Sequence, residues 1–290
     1  MIKISFRVLK GRFLLGEKWF DDYVEQVNLN NKEEAVKVLL DHIPNDKMIY
    51  KYCKGLQRDM DNLCKQQLWL SNVFQFNDPY DCSVVVDCGV KLKYPREQSE
   101  KALQDYLRQK NSNKKMNELK SSFFVACFSE KNDSFPMWGY YAADHKGLCF
   151  GYNLHELILQ YQCMPVIYSK KLVTYQETDS EKNILLSTLT KSEEWKHERE
   201  WRIVEQDKNS KGQLGIIKED FLKPTEIFVG CMQEKTISYN NRQRNKIDNS
   251  ELYADINTII SYAQREGINL YLPIISENDY KLIQRKLIGI

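Results

Sequence analysis

The chain has 290 residues, 42% hydrophobic and 12% aromatic, which suits one large domain with a real core and excludes global disorder. Lys and Arg number 42 against 40 Asp and Glu, and the resulting charge of +2 gives no basic footprint for nucleic acid. Basic runs at Lys114-Lys115 and from Arg242 to Lys246 sit among Asn, Gln and Ser and read as solvated. No apolar stretch reaches the ~18–20 residues of a membrane span. Met1 to Leu15 alternates Ile2, Ile4, Phe6 and Val8 with polar residues, a strand pattern without the apolar block of a signal peptide. The expected location is the cytoplasm, with no membrane partner. Eight cysteines fit that compartment as reduced thiols, since none forms a C-x-x-C pair and most lie in apolar runs.

Residues 1–45 are expected to form an N-terminal extension and 46–290 the core domain. The extension reads as a strand, an aromatic segment (Trp19, Phe20, Tyr23) and a helix from Lys32 to His42, capped by Asn30 or Asn31. The core opens with a strand, Met48 to Cys53, a helix near Leu56 to Gln66 and a strand, Leu68 to Ser71. Asn77-Asp78-Pro79 is a turn, and Arg96 to Lys120 is a polar helical excursion. A strand at Phe123 to Phe128, a helix at Pro136 to Asp144 and strands at Leu148 to Tyr152 and Pro165 to Tyr168 follow. A helix over Glu181 to Glu194 leads to a strand from Arg199 to Glu205. Leu214 to Ile217, Glu226 to Val229 and Ile268 to Ile275 complete the strands, with closing helices at Glu251 to Glu266 and Asn278 to Leu287. Without strict βαβ alternation, the expected class is α+β: a single mixed-sheet domain flanked by helices.

Four patterns carry a resemblance. They are Tyr50-Lys51-Tyr52 with Phe76-Asn77-Asp78-Pro79-Tyr80-Asp81; Cys127 to Glu130 with Met137-Trp138 and Tyr141 to Gly147; Val166-Ile167-Tyr168; and Lys191, Trp195, Glu198, Glu200, Trp201 and Arg202. Together, across about residues 48–275, the chain resembles the bacterial family catalogued as domain of unknown function 2971. Members usually carry His where this chain has Tyr140, whereas His145 is retained. The resemblance implies no established activity. It implies an association with accessory genes, phage-defence cargo among them.

The candidate site residues follow from side-chain chemistry. Asn77 and Asp78 ahead of Pro79 form either a rigid Asx-turn or a ligand-facing loop, and Asp81 brings a second carboxylate three residues on. Trp138, Tyr141 and His145 fall on one helical face, either as core or as an aromatic wall for a planar ligand. On a strand, Glu198, Glu200 and Arg202 share one face while Trp201 and Ile203 bury the other. Lys191 and Trp195 precede them at helical spacing, suited to clamping a phosphate or stacking on a base.

Three functions are consistent with these residues. The leading one is an NAD-dependent ADP-ribosyltransferase-like site. Lys51-Tyr52, then Ser71 or Ser129, then Glu200 or Glu198 fall in the order of that superfamily's basic or aromatic, Ser and Glu positions. The Glu would hold a ribose hydroxyl, Tyr52 or Trp138 would stack on nicotinamide, and Lys51 or Arg202 would meet the pyrophosphate. No cofactor is otherwise implied; NAD enters as a substrate. The second is a Mg²⁺-dependent nuclease built on Glu194-Trp195-Lys196 with Asp78 or Asp81. The third is a non-catalytic ligand sensor or antitoxin-like partner of a neighbouring gene's product. Scattered histidines (His42, His145, His155, His197) leave no zinc set.

Overall fold

The computed structural model describes residues 18–86, 100–175, 179–244, 246–279 and 281–288. The strand expected over Met1 to Leu15 lies outside them. The chain begins with two helices, α1 (Lys18–Asn28) and α2 (Lys32–His42), the second capped by the Asn31 side chain, which accepts from the Glu34 amide. There follow β1 (Met48–Cys53), α3 (Gln57–Cys64), β2 (Leu68–Asn72), β3 (Val84–Val86), α4 (Glu100–Lys120) and β4 (Phe123–Ser129). Next come α5 (Phe135–Tyr141), β5 (Leu148–Asn153), α6 (Leu154–Tyr161), β6 (Met164–Pro165), β7 (Ile167–Ser169), β8 (Val173–Tyr175), α7 (Ser180–Thr188) and β9 (Thr190–Ser192). A 3-10 turn over Glu193–Glu198 then leads into β10 (Glu200–Gln206). The chain continues through β11 (Gly215–Lys218), β12 (Glu226–Val229), α8 (Glu234–Gln243), α9 (Ile256–Glu266), β13 (Asn269–Ile275) and β14 (Leu282–Ile288).

The fold is α+β around a mixed sheet ordered β11-β2-β4-β1-β5-β12-β13-β14. Its pairings are antiparallel except β12 with β13. β4 is the branch point. One of its edges pairs with β10 from Phe123 to Ser129, while the other is shared by β2 near Phe124 and β1 at Ser129. One sheet face carries the main core, where Ile49, Phe128, Phe150, Trp201 and Ile203 pack with Leu154, Leu157, Ile158, Ile259 and Ala263. Phe20, Tyr23, Val24, Ala35 and Leu39 of α1 and α2 belong to that same core, and the Tyr23 hydroxyl donates to the Pro165 carbonyl. The opposite face carries a smaller cluster of Tyr52, Met137, Trp138, Cys149 and Phe228, covered by α5.

Several expected elements differ. The closing helix over Asn278 to Leu287 is instead β14, because Leu282 to Ile288 finds a hairpin partner in β13, with Ile274 opposite Ile283. The helix expected to reach Glu194 stops at Thr188, where the chain turns into β9, paired with β7. The helix expected from Glu251 begins at Ile256, where the Asp255 side chain caps it, and ends as expected at Gly267 with φ 68°. Of the basic runs, Lys114 and Lys115 lie on α4, Arg242 lies in the last turn of α8 and Arg244 just past its end, and all four are exposed. The cysteines among the described residues are free thiols.

Candidate functional site

The site is built across three neighbouring strands. Tyr50 of β1 stands opposite Ser129 of β4, and Ser129 stands opposite Glu200 of β10. Residues paired across an antiparallel ladder project to the same side, and neighbours along a strand project to opposite sides. Tyr50, Tyr52, Cys127, Ser129, Glu200 and Arg202 therefore share the face under α5. Lys51 points to the other face, where its ammonium lies 5.4 Å from the centre of the Phe128 ring.

Arg202 organises the cluster, and its five N–H donors are all engaged. Nη1 and Nη2 donate to the two Asp81 oxygens at 2.9 and 2.7 Å. Nε and Nη2 donate to the two Glu200 oxygens at 2.7 and 3.1 Å, and Nη1 also donates to the Thr188 carbonyl at 2.7 Å. Lys191 Nζ donates to Glu198 at 2.6 Å and Glu200 at 2.9 Å, and lies 3.7 Å from Asp81. The Tyr141 hydroxyl donates to the other Glu198 oxygen at 2.8 Å. These five charged side chains are almost wholly buried, Arg202 completely so. Such burial is tolerable only because each charge is paired and hydrogen-bonded.

Local structure explains how each member arrives. The Asp78 side chain accepts from the Tyr80 amide at 2.9 Å, an Asx-turn, and its carbonyl accepts from the Asp81 amide, so the turn delivers Asp81 to Arg202. Lys191 sits on β9 beside Tyr168 of β7, whose hydroxyl accepts from the Glu200 amide at 2.9 Å. Arg199, at φ 47°, closes the 3-10 turn and lets Glu198 and Glu200 reach the same cluster. The Ser129 hydroxyl donates to the Glu198 carbonyl at 2.6 Å and pins that turn to β4.

The cluster holds three carboxylates, Asp81, Glu198 and Glu200, against two cations, Lys191 and Arg202. One negative charge is in surplus. Burial alone would raise the Glu200 carboxyl, but the charges of Arg202 and Lys191 hold it well below the usual range. Glu198 moves the other way: burial pushes it up, and Lys191 only partly offsets the rise. Lys191 loses solvation by burial, yet the carboxylates around it leave its ammonium more firmly protonated than usual. Of the two glutamates, Glu198 therefore takes up a proton more readily.

Aromatic rings border this end of the cluster. Lys191 Nζ lies 5.1 Å from the centre of the Trp195 ring, and Tyr140 meets Trp195 and Tyr141 edge-on, each at 6.3 Å. Tyr140 is 65% exposed.

Other expected site residues are placed differently. Trp138 is buried, edge-on to Tyr52 at 5.3 Å, and the Tyr52 hydroxyl donates to the Lys131 carbonyl. Neither offers a free ring face for stacking; near Glu198, Tyr140 is exposed and Trp195 part-exposed. Lys191 and Trp195 sit on a short strand and a 3-10 turn rather than one helix. Ser71 pairs with Val125 at the far end of β4, four residues from Ser129 and hence about 13 Å away along the strand. Asn77 is exposed. His145 lies beyond α5, in a run of left-handed residues from Ala143 to His145. Its ring packs against Phe135, its Nδ1 is buried without a partner, and burial lowers its pKa. Glu194 is exposed while Asp81 is held by Arg202, and among the described residues no group of His, Cys, Asp or Glu could hold a metal ion. The Thr188 carbonyl and the Tyr168 hydroxyl were missed as site members. Only Tyr168 carried a signal, as the last residue of the Val166-Ile167-Tyr168 pattern.

Residues 137–203 match the family model described as a protein of unknown function, DUF2971. The matched segment supplies Tyr141, Lys191, Glu198, Glu200 and Arg202, while Asp81 and Ser129 come from outside it. No curated protein and no solved structure matches the chain. Among the described residues, no helix is long and apolar enough to cross a membrane.

Proposed function

We propose that the Glu198 end of the charged cluster is an NAD-dependent ADP-ribosyltransferase-like site. The observation that carries the reading is the row Tyr50–Ser129–Glu200, which brings the aromatic, serine and glutamate strands side by side on one face. The two glutamates take different roles. Glu200 is locked by Arg202 and Lys191 and holds the field of the site. Glu198 needs only to exchange the Tyr141 hydroxyl for a ribose hydroxyl, and Lys191 then stays as its counter-charge. Negative charge beside the ribose stabilises the oxocarbenium character that develops as the bond from C1′ to nicotinamide breaks. Nicotinamide leaves with the bonding electron pair, and a nucleophile closes on C1′ from the opposite side. The accessible faces of Tyr140 and Trp195 are the stacking surfaces within reach.

The test is nicotinamide release from NAD by the pure chain, alone and with cell extract. Release that falls at least 100-fold in Glu198→Gln supports the reading. Absence of release from wild type under both conditions overturns it.

A second reading is a non-catalytic ligand sensor or partner protein, and one observation favours it. The cluster's buried charges already satisfy one another within the chain. NAD that raises the unfolding temperature without releasing nicotinamide would favour this reading.

A further inference from the structure

The polar row does not end at Tyr50. Tyr50 stands opposite Gly151 of β5, Gly151 opposite Glu226 of β12, and Glu226 beside Asn269 of β13. Gly151 leaves the middle of the row without a side chain. A Cβ there would meet Glu226 Cβ and Oε2 at 3.0 Å and the Tyr50 ring at 3.2 Å, so these two groups lean into the gap. Phe228 and Tyr271 stack at 4.8 Å and 13°, and Tyr50 meets Phe228 edge-on at 5.7 Å. An aromatic floor therefore lies beside a carboxylate.

The Tyr50 and Tyr271 hydroxyls hydrogen-bond the Glu226 carboxylate, yet two acceptor oxygens here remain unsatisfied. Glu226 Oε2 and Asn269 Oδ1 are both buried without a hydrogen-bond partner. A buried acceptor left unpaired keeps its desolvation penalty, the more so when charged, so such atoms call for a donor. Burial raises the Glu226 pKa, and the Tyr50 and Tyr271 hydroxyls and Lys286 oppose that rise. Lys286 is exposed.

We propose that this group is a second binding site, selective for a guanidinium cation. A guanidinium is planar and carries several donors in a fixed fork. It can donate to the Glu226 carboxylate and the Asn269 amide oxygen while its plane lies against Tyr271, combining a charge-assisted pair with a cation–π contact. A carboxylate turns easily about its terminal bond, so either Glu226 oxygen can meet the ligand. An anion or a nucleotide phosphate would face a carboxylate and the bare Asn269 amide oxygen and is disfavoured. The guanidinium can belong to a free small molecule or to an arginine side chain of a peptide. The site stands on its own residues and does not depend on NAD chemistry elsewhere on the face.

The experiment titrates the full chain, without NAD, with agmatine, with its uncharged analogue N-carbamoylputrescine, and with the tripeptide Gly-Arg-Gly. Saturable binding of agmatine or of the tripeptide, at least tenfold weaker for Glu226→Gln and for the uncharged analogue, supports the proposal. The ratio of the two affinities identifies the source of the cation. Asn269→Ala, read in parallel, keeps the test open if Glu226→Gln does not fold, with at least a threefold loss expected. No saturable binding of either guanidinium probe, or binding that both variants leave unchanged, overturns it.

Discussion

Replacing Arg202 with methionine tests the cluster most severely. The substitution keeps most of the buried volume but leaves Asp81 and Glu200 facing each other with only Lys191 between them. Removing one partner of a buried pair typically costs about 3–5 kcal/mol, because the stranded charge keeps its desolvation penalty. Here two carboxylates are stranded, and the Thr188 carbonyl loses its donor as well, so the upper part of that range is expected. Against a typical total of about 5–15 kcal/mol, a loss of that size is readily measured by urea unfolding. The effect has a definite pH signature. In wild type the Glu200 pKa lies below its unfolded value, so its contribution is complete above the ordinary glutamate range and is lost as pH falls through the folded value. The gap between wild type and Arg202→Met should be widest at pH 7 and should narrow below about pH 4. Adding Asp81→Asn and Glu200→Gln, which removes the stranded charges, should recover at least half of the loss. A cost below about 1 kcal/mol at pH 7, the size expected of an exposed pair, would refute the buried network.

Glu198 should behave oppositely. Its folded pKa is raised by burial, so its stabilising share is complete below the unfolded value and declines as pH rises through the folded one. Glu198→Gln should therefore flatten the pH dependence of the unfolding midpoint above about pH 5, measured from pH 5 to 8. Tyr141→Phe removes a hydrogen bond to a charged acceptor and should cost about 1.5–3 kcal/mol in urea unfolding. Gly230→Ala should be at least as damaging, since its Cβ would fall 2.2 Å from the His145 carbonyl oxygen, within backbone that also receives the Met232 amide. A loss of about 2 kcal/mol or more is expected there by thermal unfolding, from the overpacking that follows.

The most legible part of the site was the alternation of Glu198, Glu200 and Arg202 around Trp201 and Ile203. Period two assigns one face to charge and one to core, and β10 does this for Glu200 and Arg202, whereas Glu198 joins them through the left-handed Arg199 turn. Asp81 was visible as a carboxylate delivered by an Asx-turn, but not as the bidentate partner of Arg202, because that contact spans 121 residues. Lys191 was assigned to a helix because Glu181 to Glu194 has good helix formers. The β-branched Thr190 instead favours extension, and β7 was waiting to pair. The C-terminal strand was misread for a related reason: Leu282, Ile283 and Leu287 fit a helical stripe, and only the partner strand β13 distinguishes the two. Trp138 was read from its spacing with Tyr141 and His145 as either core or an aromatic wall, and it is core. Spacing gives the shared face but not its burial, and Tyr52 covers the ring. The Glu226 group left no motif at all, since its members are joined only by register across β1, β5, β12 and β13.

The proposed chemistry requires Glu198 to hold a ribose hydroxyl. Chromatographic measurement of free nicotinamide from NAD, comparing wild type with a folded Glu198→Gln chain at neutral pH, addresses this directly. Steady accumulation with wild type and near-background levels with the variant are predicted. Equal accumulation with both, or none with either, would contradict it.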